Sequence, residues 1–122
     1  MKLRILFLSI LLFGCCGLWN MQAACEQSLN PQVKDRCFSV LALNQDDTGL
    51  CNKVENLTAR DYCVMKIAIA DANESKCATI ENNSRRDICE KVSVGVGQKN
   101  SLACGYIKED DETAELCRLR VS

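Results

Sequence analysis

The chain has 122 residues with ten cysteines, one proline and no histidine, and its fifteen basic and sixteen acidic residues leave a net charge of -1. That length admits one domain or an array of small repeats. The missing histidine excludes the commonest general base and the Ser/His and Cys/His nucleophilic pairs, and the balanced charge shows no footprint for nucleic acid.

Lys2 and Arg4 precede an apolar stretch, 5–19, which runs through Ile5-Leu6-Phe7-Leu8 to Trp19. Two cations ahead of a short apolar run read as an export signal, and fifteen residues fall short of a membrane-spanning helix. Three modes stay open for the segment 1–24. The small residues Ala23 and Ala24 suit cleavage by a signal peptidase. Leu12-Phe13-Gly14-Cys15 is similar to a bacterial lipobox, which would make Cys15 a lipidation site, although Phe13 is bulky for that motif. The third mode is an uncleaved anchor, giving membrane association through the N-terminal segment. Removal of 1–24 would take away two cations and no anions, leaving a net charge of -3.

The segment 25–122 reads as a single cysteine-rich domain. Its cysteines are Cys25, Cys37, Cys51, Cys63, Cys77, Cys89, Cys104 and Cys117, separated by 12, 14, 12, 14, 12, 15 and 13 positions. This is a repeat of about 26 residues in four copies. In each copy an aliphatic residue follows the first cysteine at helical spacing: Leu29, Val54, Ile80 and Ile107.

The second half of each unit repeats as well. Lys34-Asp35-Arg36-Cys37 aligns with Arg60-Asp61-Tyr62-Cys63 and Arg86-Asp87-Ile88-Cys89, with Ala114-Glu115-Leu116-Cys117 as a degenerate copy. Asn30-Pro31 reads as a cap followed by proline in the first turn. Thr58 with Asp61, and Ser84 with Asp87, read as capping boxes. Beyond the second cysteine, Cys63, Ile67 and Ala70 share one stripe, as do Cys37, Leu41 and Asn44. Val92-Ser93-Val94-Gly95-Val96 alternates as a strand would, but its register with Lys66-Ile67-Ala68-Ile69-Ala70 favours a helix. Turn residues at 46–49, 71–74 and 97–100 punctuate the units. The expected fold is all-α: four hairpins, each a short helix, a tight turn and a longer helix, stacked as a short solenoid or compact bundle. The fourth is expected to lack most of its second helix.

Eight evenly spaced cysteines in an exported chain read as a disulfide framework. A hairpin turn midway between Cys51 and Cys63 brings the two face to face, and the same holds for Cys25 with Cys37, Cys77 with Cys89 and Cys104 with Cys117. The shifted set, beginning with Cys37 and Cys51, leaves Cys25 and Cys117 as an awkward end-to-end pair. Each loop of about a dozen residues contributes on the order of 3 kcal/mol by chain-entropy arguments, where few aromatics are left to build a core. No Cys-x-x-Cys redox motif occurs. Thiolates gathered in a helical bundle for Cu(I) are the competing use, which would want several cysteines per helix.

The repeated Arg-Asp pair reads as structural: an aspartate in the first helical turn, and arginines meeting carboxylates across the turn, Arg60 with Glu55 and Arg86 with Glu81. The acidic run Glu109-Asp110-Asp111-Glu112 reads as a solvated turn, since EF-hand spacing is missing. Asn56, Asn73 and Asn82 head glycosylation sequons that double as capping positions.

The pattern of a cysteine and spaced aliphatic, then Arg-Asp-x-Cys, then Ile67-Ala68 resembles uncharacterised exported cysteine-repeat proteins of archaeal and bacterial type. The resemblance spans nearly all of 25–117 and is sharpest in the second and third units. It implies an exported or membrane-anchored protein of helical hairpins and carries over no catalytic residue. The expectation from the whole chain is a non-enzymatic secreted or cell-envelope scaffold for an unknown protein partner. It has no cofactor, metal site, catalytic residue or nucleic-acid ligand. The alternative is a thiol protein binding Cu(I).

Overall fold

A computed structural model describes residues 21–122. The readings at Lys2, Arg4 and Cys15, and most of the leader, lie outside the described residues. Four α-helices follow one another: α1 Pro31–Gln45, α2 Leu57–Asp71, α3 Asn83–Gly97 and α4 Asp111–Val121. Three short 3-10 segments, Thr48–Lys53, Glu74–Thr79 and Ser101–Tyr106, alternate with them, and residues 21–26 are helical ahead of the first. No strand occurs among the described residues.

Asparagine starts the first three helices. The Asn30 carboxamide oxygen accepts from the Gln32 N–H at 2.9 Å, with Pro31 opening α1. Asn56 accepts from the Ala59 N–H at 2.9 Å and Asn82 from the Arg85 N–H at 3.0 Å. A side-chain acceptor at this position satisfies a donor that has no partner inside the helix. The expected capping boxes are thereby displaced by two residues: Thr58 and Ser84 lie inside α2 and α3. Asp61 and Asp87 likewise sit two residues deeper than expected, at the fifth helical position and past the first turn.

A left-handed residue follows each of the first three helices: Asp46 (φ 52°) after α1, Ala72 (φ 49°) after α2 and Lys99 (φ 57°) after α3. A second cap follows at once, as Asp47, Asn73 and Asn100 accept from the N–H two residues ahead to start each 3-10 segment. Gln98 is an additional residue at the end of α3, and it lengthens the gap from Cys89 to Cys104. The fourth hairpin keeps more of its second helix than the sequence suggested, with α4 running 11 residues. Its cap Asp110 makes no side-chain bond to the backbone and instead accepts from the Thr113 hydroxyl.

All eight cysteines of 25–122 pair within their own hairpins: Cys25–Cys37, Cys51–Cys63, Cys77–Cys89 and Cys104–Cys117. Their Cα atoms stand 5.4 to 5.8 Å apart. The spacing of 12 positions, symmetrical about a tight turn, produces this geometry. Val54, Ile80 and Ile107 are buried as the repeat requires, whereas Leu29 is fully exposed. The described fold also reaches across the boundary drawn at residue 24: the Ala23 carbonyl accepts from the Gln27 N–H at 3.1 Å within the helix that carries Cys25.

α2 is the axis of the molecule. Asp61, Tyr62, Cys63, Val64, Met65, Ile67, Ala68 and Ile69 are all buried, so the helix is covered on every side. α1 and α3 flank it, and α4 lies chiefly against α2, with only light contact to α3. The fourth hairpin therefore folds back over the second and closes the stack into a bundle. The alternating run 92–96 is helical within α3; it buries Val92, Ser93 and Val96, and Gly95 lets the third 3-10 segment approach. A Cβ built on Gly95 would stand 2.3 Å from the Ala103 Cβ.

Candidate functional site

The Arg-Asp motif has a different task in each repeat. Asp35 accepts from the N–H groups of Glu55 and Asn56 at 2.9 and 3.1 Å, tying α1 to the start of α2. Asp61 instead takes the guanidinium of Arg85, Nη1 to Oδ2 at 3.0 Å. Asp87, in the third unit, is exposed and pairs within its own helix with Lys91 at 3.3 Å. The arginines avoid the expected glutamates: Arg60 Nε donates to the Val54 carbonyl at 2.9 Å and Arg86 Nη1 to the Ile80 carbonyl at 3.1 Å. Each clamps the residue that caps its own 3-10 segment. Glu55 pairs instead with Lys34 at 3.7 Å.

The acidic run is solvent-exposed at Glu109, Asp111 and Glu112, as expected, and also acts as a latch, which was not expected. Glu109 accepts from the Tyr62 hydroxyl at 3.1 Å and stands 3.9 Å from Arg85 Nε. Glu112 meets Lys66 at 3.0 Å and Arg36 at 2.8 Å, while Asp110 stands 4.0 Å from Lys66. Burial and the Glu109 carboxylate push the Tyr62 phenol up to about 12. The Lys66 ammonium, followed by Arg36, holds the Glu112 carboxyl below the usual range. The Asp61 carboxylate raises Arg85 further above its ordinary value. Around these groups lies a groove of about 370 Å³, bounded by α1, α2 and the fourth hairpin. Most of its charged groups are engaged within the chain, Asp35 by backbone N–H groups and Glu112 by Lys66 and Arg36, although Arg85 Nε is buried without a hydrogen-bond partner among the described residues. The residues bridging to Glu109, Tyr62 and Arg85, stand out from the repeat, since their counterparts in other units differ: Arg36 and Ile88 for Tyr62, Ala59 for Arg85. That irregularity was the available signal, and the repeat reading passed over it.

A second groove, about 600 Å³, runs beside α3 and the third 3-10 segment and is lined by Val94, Gly95, Leu102, Ala103 and Tyr106, with charged residues at its margin. Leu102 is 83% exposed and Tyr106 54% exposed, with the Lys91 ammonium 5.8 Å from the Tyr106 ring centre. A third, nearly all apolar, lies on the outer side of the first hairpin.

The candidate site cysteines are all accounted for as structural bridges, with Cys25, Cys51, Cys63, Cys77, Cys89, Cys104 and Cys117 buried and Cys37 half-buried. In this oxidised form they offer no thiolate to a Cu(I) ion. Among the described residues no three His, Cys, Asp or Glu side chains gather to hold a metal. No helix among them is long and apolar enough to cross a membrane. Four intramolecular disulfides belong to an oxidising, extracytoplasmic setting. Comparison of the chain with protein-family models, curated proteins and solved structures finds no match.

Proposed function

We propose that the protein is an exported, non-enzymatic scaffold of the cell envelope or its surroundings, and that it binds another protein through the groove beside α3. The observation that carries this reading is the contrast between two parts of the surface. Most charges on the closing face are paired within the chain, whereas Val94, Leu102 and Tyr106 form an exposed apolar and aromatic strip with charges around it. Aromatic and aliphatic groups ringed by polar ones are the usual anchors of protein interfaces. Disulfide staples hold that strip on a rigid frame, which lowers the ordering cost of association. The resemblance to exported cysteine-repeat proteins supports the compartment, as do the export-type leader and the disulfides.

Crosslinking in the protein's own envelope fraction tests the reading. The wild type is expected to capture a defined partner, and the double variant Leu102→Asp, Tyr106→Ala to lose it with its melting temperature unchanged. Equal capture by both proteins, or none by either, overturns the reading. So does a reproducible turnover activity abolished by substituting one carboxylate.

A further inference from the structure

The hydroxyls of Thr58 and Ser84 are left over by the helix starts. They stand 26 positions apart, each at the second residue of its helix, while the caps are made by Asn56 and Asn82. Both residues are exposed. Thr58 accepts from Arg85 Nη2 at 3.2 Å, and the Ser84 Oγ has no hydrogen-bond partner among the described residues. What the two hydroxyls share is an asparagine two positions upstream. Asn56-Leu57-Thr58 and Asn82-Asn83-Ser84 match the acceptor triplet for an N-linked glycan, which requires a hydroxyl at its third place and bars proline from its second. The outer units lack the triplet in this register: Pro31 and Gln32 follow Asn30, and Asp110 stands where the fourth asparagine would be.

The fold leaves the reactive atom of both asparagines free. Each spends its Oδ1 on the cap, at 2.9 Å from the Ala59 nitrogen and 3.0 Å from that of Arg85, and among the described residues neither Nδ2 donates to a partner. Both asparagines are exposed, on extended backbone ahead of the helix, with ψ of 120° and 118°. A carboxamide carries two hydrogens on its nitrogen, so a sugar can replace one of them while Oδ1 keeps the cap. The third triplet, Asn73-Glu74-Ser75, is built differently. Asn73 is half-buried directly after the left-handed Ala72, and its Oδ1 accepts both the N–H and the hydroxyl of Ser75, at 3.1 and 2.6 Å. There the hydroxyl has a structural task inside the turn.

We propose that Asn56 and Asn82 carry N-linked glycans and that Asn73 does not. The donor is an oligosaccharide borne on a polyprenyl diphosphate, and the transferase meets the exported chain before the hairpins close. The asparagine Nδ2 forms a bond to the anomeric carbon, and the bond from that carbon to the diphosphate oxygen breaks. The lipid diphosphate leaves with the electron pair, and one Nδ2 proton passes to a base of the transferase. The attached sugars then stand in solvent at the starts of α2 and α3, with both caps kept. This goes beyond the partner reading and rests only on its exported compartment.

Mass spectrometry of the protein taken from its own envelope fraction tests this. Peptides are expected to place one glycan on Asn56 and one on Asn82, and to show Asn73 bare. Ser84→Ala and Asn82→Gln are each expected to abolish the Asn82 glycan and to leave that on Asn56, whereas Ser84→Thr is expected to retain both. Ser84→Ala leaves the Asn82 cap in place, so its effect is read on a folded chain. A sugar that survives Asn82→Gln sits on a hydroxyl and overturns the proposal. So does a glycan on Asn73, or a bare Asn56 or Asn82 in the wild type. An unmodified chain that holds its four disulfides overturns the proposal and leaves the exported compartment standing. An unmodified chain with free thiols overturns both.

Discussion

Arg85 of α3 lays its Nη1 3.0 Å from Oδ2 of Asp61 on α2, across 24 positions of sequence. The aspartate is 5% exposed, and the same guanidinium reaches the Thr58 hydroxyl at 3.2 Å and stands over the Tyr62 ring. A buried carboxylate left without its cation is costly, more so than loss of the pair as a whole. Arg85→Ala is expected to destabilise the fold by about 2–3 kcal/mol in urea titrations, with Asp61→Ala, Arg85→Ala costing less than the sum of the single changes. Additive effects would show that the two groups act independently.

The starts of the helices give a sharper test, because two assignments of the same cap compete. The carboxamide of Asn82 accepts the Arg85 N–H, while Ser84 lies inside α3. Asn82→Ala is expected to cost about 1 kcal/mol, and Ser84→Ala a few tenths at most. The reverse order would return the cap to Ser84.

Gly95 is set by space. With the Ala103 Cβ only 2.3 Å from where its own Cβ would stand, Gly95→Ala forces the third 3-10 segment away from α3. A loss of about 1–3 kcal/mol is expected, partly recovered in Gly95→Ala, Ala103→Gly. Because the same movement reshapes the groove at Leu102, partner capture is expected to weaken in the single variant and recover in the double one.

The latch has a pH signature at both ends. Glu112 has a folded pKa below its unfolded one, so its contribution is full above the ordinary glutamate value and is lost as pH falls through the lowered value. Tyr62 has a folded pKa raised to about 12 from 10.0, so its contribution is full below 10.0 and is lost as pH rises toward 12. Chemical denaturation across pH is expected to show stability falling at each extreme. Glu112→Gln should flatten the acid limb and Tyr62→Phe the alkaline limb. In near-ultraviolet titration of the native protein, Tyr62→Phe should remove the late tyrosinate step.

The sequence carried the periodic part of the fold plainly. Cysteine spacing located the hairpins and their pairing, and the turn residues at Asp46, Ala72 and Lys99 marked where each helix ends. The departures came from contacts between units. Thr58 and Ser84 look like caps in isolation, but Asn56 and Asn82 are the residues with the extended backbone a cap needs. Arg60 and Arg86 were matched to nearby glutamates by charge, whereas the closer acceptors are backbone carbonyls, invisible in a list of side chains. The acidic run is solvated as its composition suggests, but its pairing is hidden in the sequence because its partners, Tyr62, Lys66 and Arg36, lie 46 to 76 positions upstream. Only the return of α4 onto α2 brings them together. Local pattern is encoded residue by residue; the fold-back of a terminal unit is decided by distant surfaces that fit.

That fold-back limits how the array can grow. In an open stack each unit touches only its neighbours, so copies can be gained or lost with little penalty. Here Glu112 holds Arg36 of the first hairpin and Lys66 of the second, and Glu109 meets Tyr62 of the second and Arg85 of the third. One short segment thus checks the presence of three earlier hairpins. Splicing a further 26-residue copy between α2 and α3 would move these partners out of reach of one another. A gain or loss of copies between the first hairpin and the fourth would give up these contacts, a penalty that an open stack does not carry.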